Sequence, residues 1–291
     1  MKPFELVEPE TLGEAIALLD PADSSVRALA GGTALMLMMK ARLFQPSRLV
    51  SLHRLNGSVR GVRQSSDGGL SIGALTSLRD LERSSVVATS TPVITRALKT
   101  LANVRVRNVA TIGGHLAHGD PHLDLPPILL TMRARVRAVS SRGERWIDMS
   151  EFFMGYYQTA LAKDELIAEL AIPPQSRDVC SAYAKCTALS ADDWPAVGVA
   201  VWYRLQGGLV SDARIAISAA TERPIRSPAA EAALAGSPAE PAAFARAADA
   251  AAQEVQTLAD IRGSASYKRE MVRVYVRRAL EQALRSRSEA K

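Results

Sequence analysis

Two glycine pairs, Gly31-Gly32 and Gly113-Gly114, constrain this chain more than any other feature. Each bares backbone where a side chain would otherwise stand, and so suits a tight turn or the close approach of another group. In Ala30-Gly31-Gly32-Thr33 a short apolar strand, Val26–Ala30, runs into the turn, and a helix from Leu35 to about Ala41 leaves it. Unpaired amides at a helix start carry roughly half a positive charge and make an anion site. Thr33 adds a hydroxyl, and a diphosphate is the natural occupant. The pattern is neither the Walker loop, which ends in Gly-Lys-Ser/Thr, nor the three-glycine dinucleotide fingerprint. That argues against a conventional mononucleotide or nicotinamide fold.

Thr111-Ile112-Gly113-Gly114-His115 repeats this chemistry, a hydroxyl followed by two bare amides. It opens the segment TIGGHLAHGDPHLDLPP, residues 111–127, which holds three of the four histidines. Asp124 is an ionised acceptor suited to ribose or ribityl hydroxyls, and Pro126-Pro127 fixes the chain beyond it. The same segment admits a competing reading as a metal-dependent hydrolase, with His115, His118 and Asp120 as ligands and His122 or Asp124 completing the set. His115-x-x-His118 lacks the helical His-Glu-x-x-His spacing. Gly119 and Pro121 break any helix here, so such a site would be built on a loop. A third reading makes both glycine turns merely tight, in a non-catalytic scaffold. Two such turns far apart in sequence favour the first: a cofactor with a diphosphate to clamp.

Composition narrows the class. At 291 residues, 47% hydrophobic and 23% charged, the chain has the apolar content for a real core in one large or two ordinary domains. No apolar run reaches the roughly 18 residues of a membrane span, and MKPFELVEPETL is not a secretory leader. The expected location is the cytoplasm. Cys180 and Cys186 are too few for a disulfide framework or for four-thiolate ligation of an iron–sulfur cluster on this chain. The net charge of +6 is spread over separate elements with few aromatics, which argues against a nucleic-acid partner. Arg105, Arg107 and the arginines of the last helix are candidate contacts for protein partners.

Patterning predicts an α+β chain. Thr11 and Glu14 form a capping box for a helix to Asp20, and Thr91-Pro92 opens another whose buried stripe is Ile94, Ala97, Leu98 and Leu101. Leu49–Leu52, Leu70–Ile72, Ala134–Val139, Arg145–Asp148 and Leu166–Ile172 read as strands, and Met36, Met38 and Met39 as core filler. Past a boundary near residues 175–180, Ala196–Leu205 and Leu209–Ala219 flank Gln206-Gly207-Gly208 as a hairpin. Two small helices within Pro228–Val255 and a long one from Ser266 to about Arg285 follow.

The stretches AGGTALMLMMK at 30–40, NVATIGGHLAHGDPHLDLPP at 108–127 and DIRGSASYKREMVRVYVRRAL at 260–280 resemble, in order, the FAD-binding medium subunit of the molybdenum hydroxylases, the group of carbon monoxide and xanthine dehydrogenases. The resemblance implies a two-lobed FAD-binding fold of the vanillyl-alcohol-oxidase (PCMH) type over residues 1–177, with the lobes dividing near 55–60. A small α+β C-terminal domain, a β-hairpin sheet plus helices, would cover 178–287. It implies that Leu29, Ala30, Gly31, Gly32, Thr33, Ala34 and Leu35, with Thr111, Ile112, Gly113, Gly114 and His115, embrace the FAD diphosphate. Asp124 would bond the FAD sugar hydroxyls, Lys185 would lie near the flavin, Ile167 or Ala168 beside its ring, and Leu101 would touch the cofactor. An oxidoreductase role in electron transfer is implied, with no acid, base or nucleophile on this chain. The implied partners are a small subunit with two iron–sulfur clusters and a large subunit with the molybdenum cofactor, assembled as a dimer of heterotrimers. Two departures stand out: His115 occupies the place of the family's usual Asn, and Thr187-Ala188-Leu189 lacks the arginines common in relatives.

Overall fold

The computed structural model describes residues 2–176 and 178–289. Arg177, at the expected end of the first domain, lies outside the described residues. In the first lobe, strands Glu5–Val7, Arg48–Ser51 and Val26–Leu29 lie side by side in that order, all parallel. Parallel neighbours need crossovers, and the helices Leu12–Ala17 and Leu35–Lys40 supply them. The first is capped as its sequence predicts, Thr11 and Glu14 each accepting from the other's amide. Of the three methionines in the second helix only Met39 is core; Met38 borders a cleft.

The second lobe is a five-stranded antiparallel sheet in the order Val62–Gln64, Leu70–Gly73, Leu166–Ile172, Arg135–Ser140 and Gly143–Asp148. Six short helices between residues 78 and 131 pack on it, and their apolar faces build the largest core cluster. Four strands called from sequence fall within a residue or two of their observed bounds. The edge strand Val62–Gln64, without an apolar alternation, was not foreseen.

The chain then forms a four-stranded antiparallel sheet, Val179–Cys186, Val197–Gln206, Leu209–Ser218 and Ile225–Arg226. Gly207 and Gly208 turn the expected hairpin with φ of 57° and 83°, the mirror-type turn that matches strand twist. The helices Pro228–Leu234, Pro241–Glu254 and Ala265–Glu289 cover this sheet, and a separate core of Ala, Val, Leu and Phe lies between. Both cysteines are free and buried. No helix among the described residues is long and apolar enough to cross a membrane.

Candidate cofactor site

The two glycine motifs meet. Gly31 lies so close to the end of the helix Val104–Val109 that a β-carbon on it would stand 2.2 Å from the Val109 carbonyl oxygen. A β-carbon on Gly114 would come within 3.4 Å of the Ala30 methyl. Between and beyond them runs a cleft of about 850 Å³, within the size range of cofactor sites.

The motifs are built differently. The first is a true loop: Gly32 has φ +68°, and the helix starts only at Leu35. Among the described residues the amides of Gly31, Gly32, Thr33 and Ala34 donate to no protein acceptor, while all of Leu29–Leu35 lines the cleft. The second motif is not a turn. Thr111 caps a helix, Ile112–Ala117, that carries both glycines and His115. Its amides are spent: Ile112 donates to Thr76 O, Gly113 to Ala74 O, Gly114 to Thr111 Oγ1 and His115 to Thr111 O. The expectation of bare amides therefore holds for the first motif and fails for the second. There the glycines serve close packing, since a β-carbon on Gly113 would press on the Ala74 methyl at 2.7 Å.

Thr111, Gly113, Gly114, His115, Leu101, Asp124 and Ile167 also border the cleft. Ile112 does not; its side chain is in the core. Ala168 is fully buried at the junction of the lobes, which leaves Ile167 as the one of that pair facing the cleft. Lys185 also stays out of it. Its ammonium sits in a smaller cavity of about 290 Å³, donating to Thr100 O at 2.8 Å and Asp193 O at 2.9 Å and lying 3.3 Å from Asp124. Asp124 is almost fully enclosed and accepts from Tyr183 Oη at 2.6 Å as well. Burial pushes its pKa up, and Lys185 and Tyr183 pull against that shift.

His115 carries a buried Nε2 without a hydrogen-bond partner. Burial, and then the neighbouring His118, depress its pKa to about 3, so the ring is neutral at ordinary pH. An unsatisfied buried nitrogen costs about 1–3 kcal/mol, and a ligand group in the cleft would relieve it. Free amides, a Cβ-less wall and this orphaned nitrogen together fit a large phosphate-bridged cofactor.

The hydrolase geometry is not present. His118 Nε2 is 3.8 Å from Asp120 Oδ2, and Asp120 is committed to His122 and Tyr157 at 2.8–2.9 Å. Among the described residues no group of three or more His, Cys, Asp or Glu is placed to hold a metal ion. Arg107 also departs from expectation. It is buried, pairs with Glu82 at 2.9 Å and donates to the carbonyls of Leu101 and Ala102, so it is an internal strut and not a contact surface.

Sequence reasoning missed Tyr183, Trp194 and the links His122 makes to Asp120 and Asp260. Tyr183 lies on an alternating strand and lines the smaller cavity, while Trp194 lies in a loop of the C-terminal domain and borders the cleft; nothing local marks the first as a partner of Asp124 or the second as part of a cleft in the lobes before it.

A two-lobed fold with a glycine-walled cleft for a phosphate-bridged cofactor defines the class as a nucleotide-cofactor protein, and comparison with known proteins gives the family and the cofactor. Residues 2–175 match the FAD binding domain in molybdopterin dehydrogenase, and residues 181–283 match the CO dehydrogenase flavoprotein C-terminal domain. The carbon monoxide dehydrogenase medium chain of Hydrogenophaga pseudoflava is 35% identical over 280 residues, 96% of each chain. The nicotine 6-hydroxylase medium subunit of Paenarthrobacter nicotinovorans is 33% identical over 94% of this chain and 95% of its own. A solved carbon monoxide dehydrogenase from Hydrogenophaga pseudoflava superposes with a TM-score of 0.94 at 37% identity, covering 98% of each chain. The chain belongs to the FAD-binding medium-subunit family of the molybdenum hydroxylases, and it is an oxidoreductase flavoprotein by that membership.

Proposed function

We propose that this chain is the electron-transferring FAD subunit of a multi-subunit molybdenum hydroxylase. It would take electrons from iron–sulfur clusters on a small partner subunit and pass them to an external acceptor. A large subunit with the molybdenum cofactor would carry the substrate chemistry, in a dimer of heterotrimers in the cytoplasm. The observation that carries the reading is the row of unpartnered amides from Gly31 to Ala34 facing a cleft closed by the second glycine motif.

When bound, FAD supplies an electron store that the protein positions and tunes. In this reading the Gly31–Ala34 amides and the Thr33 hydroxyl bind the diphosphate. Gly114 keeps the opposite wall low enough for it to pass. Asp124 holds sugar hydroxyls from its enclosed place beside Tyr183 and Lys185, and Leu101 and Ile167 exclude water. Lys185, outside the cleft, acts through Asp124. With only two cysteines, both buried, the clusters belong on a partner. The relatives are named for different substrates, carbon monoxide in one and nicotine in another, as expected if the substrate pocket lies on another subunit.

The test is purification of the complex from its source through a tag on this chain. Flavin absorption that survives gel filtration, with molybdenum and iron in the same peak, supports the reading. A colourless protein that takes up no added FAD refutes it.

A further inference from the structure

Three side chains span the wall between the cofactor cleft and the smaller cavity of about 290 Å³. Among the described residues Asp124 borders the cleft alone, whereas Tyr183 and Lys185 border the small cavity alone. Their polar atoms nonetheless meet. Tyr183 Oη donates to Asp124 Oδ1 at 2.6 Å, and Lys185 Nζ lies 3.3 Å from both Asp124 oxygens. The Asp124–Lys185 pair therefore has one end on each space.

The small cavity is lined in part by two exposed residues, Arg96 and Ala191, and so reaches solvent. Thr100, Thr187 and Gln282 add polar lining, and the space is large enough for several water molecules. On the other side Asp124 is only 6% exposed, and a cofactor filling the cleft would cover that remainder. Tyr183 alone would orient the carboxylate. A buried ion pair is a costly way to add a second donor, but a lysine ammonium, unlike a tyrosine hydroxyl, gives up and regains a proton with modest changes in its surroundings. Two carbonyls fix where it points. Lys185 Nζ donates to Thr100 O at 2.8 Å and to Asp193 O at 2.9 Å, which leaves its third N–H for Asp124. Burial favours the neutral carboxyl at Asp124 and so eases transfer in that direction.

We propose that Lys185 and Asp124 carry protons from the small cavity into the cofactor cleft, so that electrons stored there are matched by protons arriving on a separate path. This rests on the reading that the cleft holds FAD, whose full reduction takes up two electrons and two protons, the electrons coming from iron–sulfur clusters on a partner. In each cycle a Lys185 Nζ–H bond breaks and the proton bonds to an Asp124 oxygen. Asp124 releases it into the cleft, and the neutral amine takes a proton from hydronium in the small cavity. The net change is one proton moved from solvent to cleft, with the pair restored and neither residue oxidised or reduced.

The experiment is flash photoreduction of the flavin in the purified complex, in weak buffer with a pH-indicator dye, so that electron arrival and proton uptake are timed separately. Ala191→Phe narrows the small cavity at an exposed position and leaves the pair in place. Ala188→Phe, exposed in the same loop but not bordering the cavity, is the control. Lys185→Met removes the proton donor. Proton uptake should slow several-fold in Ala191→Phe and by a larger factor in Lys185→Met, with electron arrival unchanged, while Ala188→Phe matches the unmodified complex. A lysine that served only as a brace would leave the lag between electron and proton unaltered. Uptake at the unmodified rate in either variant that retains its flavin overturns the proposal, as does an equal slowing in Ala188→Phe. If Lys185→Met sheds its flavin, Ala191→Phe decides alone. A complex with no flavin at all instead overturns the functional reading beneath it.

Discussion

Gly31 and the Val109 carbonyl meet so closely that the space for a methyl group does not exist: a β-carbon would lie 2.2 Å from the oxygen and 2.8 Å from the Ala110 Cα. The contact brings the two glycine motifs into one cleft. It also shows that Gly31 answers first to the protein's own backbone and second to any ligand.

Gly31→Ala should therefore force the two motifs apart, costing about 1–3 kcal/mol as an overpacked core does and releasing FAD. Urea midpoints and flavin content per chain measure both. Gly32→Val meets left-handed backbone at φ +68°, and Gly114→Val meets Thr111 Oγ1 at 3.0 Å; each should also abolish FAD retention. Gly13→Ala is the control. Its β-carbon meets nothing within 4 Å, so stability should hold or rise by about 0.4–1 kcal/mol.

Asp124→Ala should be costly even without cofactor. It strands the buried Lys185 ammonium and the Tyr183 hydroxyl, and losing one partner of a buried pair typically costs about 3–5 kcal/mol. The Lys185→Met/Asp124→Leu double variant should recover much of the stability but not the FAD affinity. Full recovery of FAD binding in that variant would show that Asp124 does not touch the cofactor.

The neutral His115 sets a pH dependence. Its folded-state pKa, about 3, lies below the ordinary value of 6.5, so the unfolded chain binds a proton first as pH falls. Stability is fully present above pH 6.5 and is lost as pH drops towards 3, at a limiting slope of about 1.4 kcal/mol per unit for one proton. His118, also depressed by burial, acts in the same direction. Asp260, held at about 2 by Lys268 and His122 against the effect of burial, adds a further loss below its ordinary 3.8. His115→Asn should flatten the unfolding midpoint between pH 6.5 and 4. A slope unchanged from the parent would mean that the ring is already protonated in the fold.

Arg107→Met should loosen the segment Leu101–Ala102, which its guanidinium holds and which lines the cleft. The expected result is lower thermal stability with weaker FAD retention, while Arg105→Met, on the exposed side of the same helix, changes neither.

The capping box at Thr11, the glycine-turned hairpin and the long strands were legible because their causes are local: a side chain three residues away, a positive φ, an unbroken apolar run. The choice of FAD-binding family was legible too, from the residue order of two glycine motifs and a C-terminal stretch. What each glycine does was not. Whether an amide is free depends on what folds against it, and the acceptors that consume those of the second motif, Ala74 O and Thr76 O, sit in a loop far upstream. The same holds for Arg107, drawn inward by Glu82, and for Trp194, carried to the cleft by another domain's sheet. Periodicity and turn chemistry act over a few residues, whereas burial and pairing are settled by distant contacts whose free energy is gained only when the layers close.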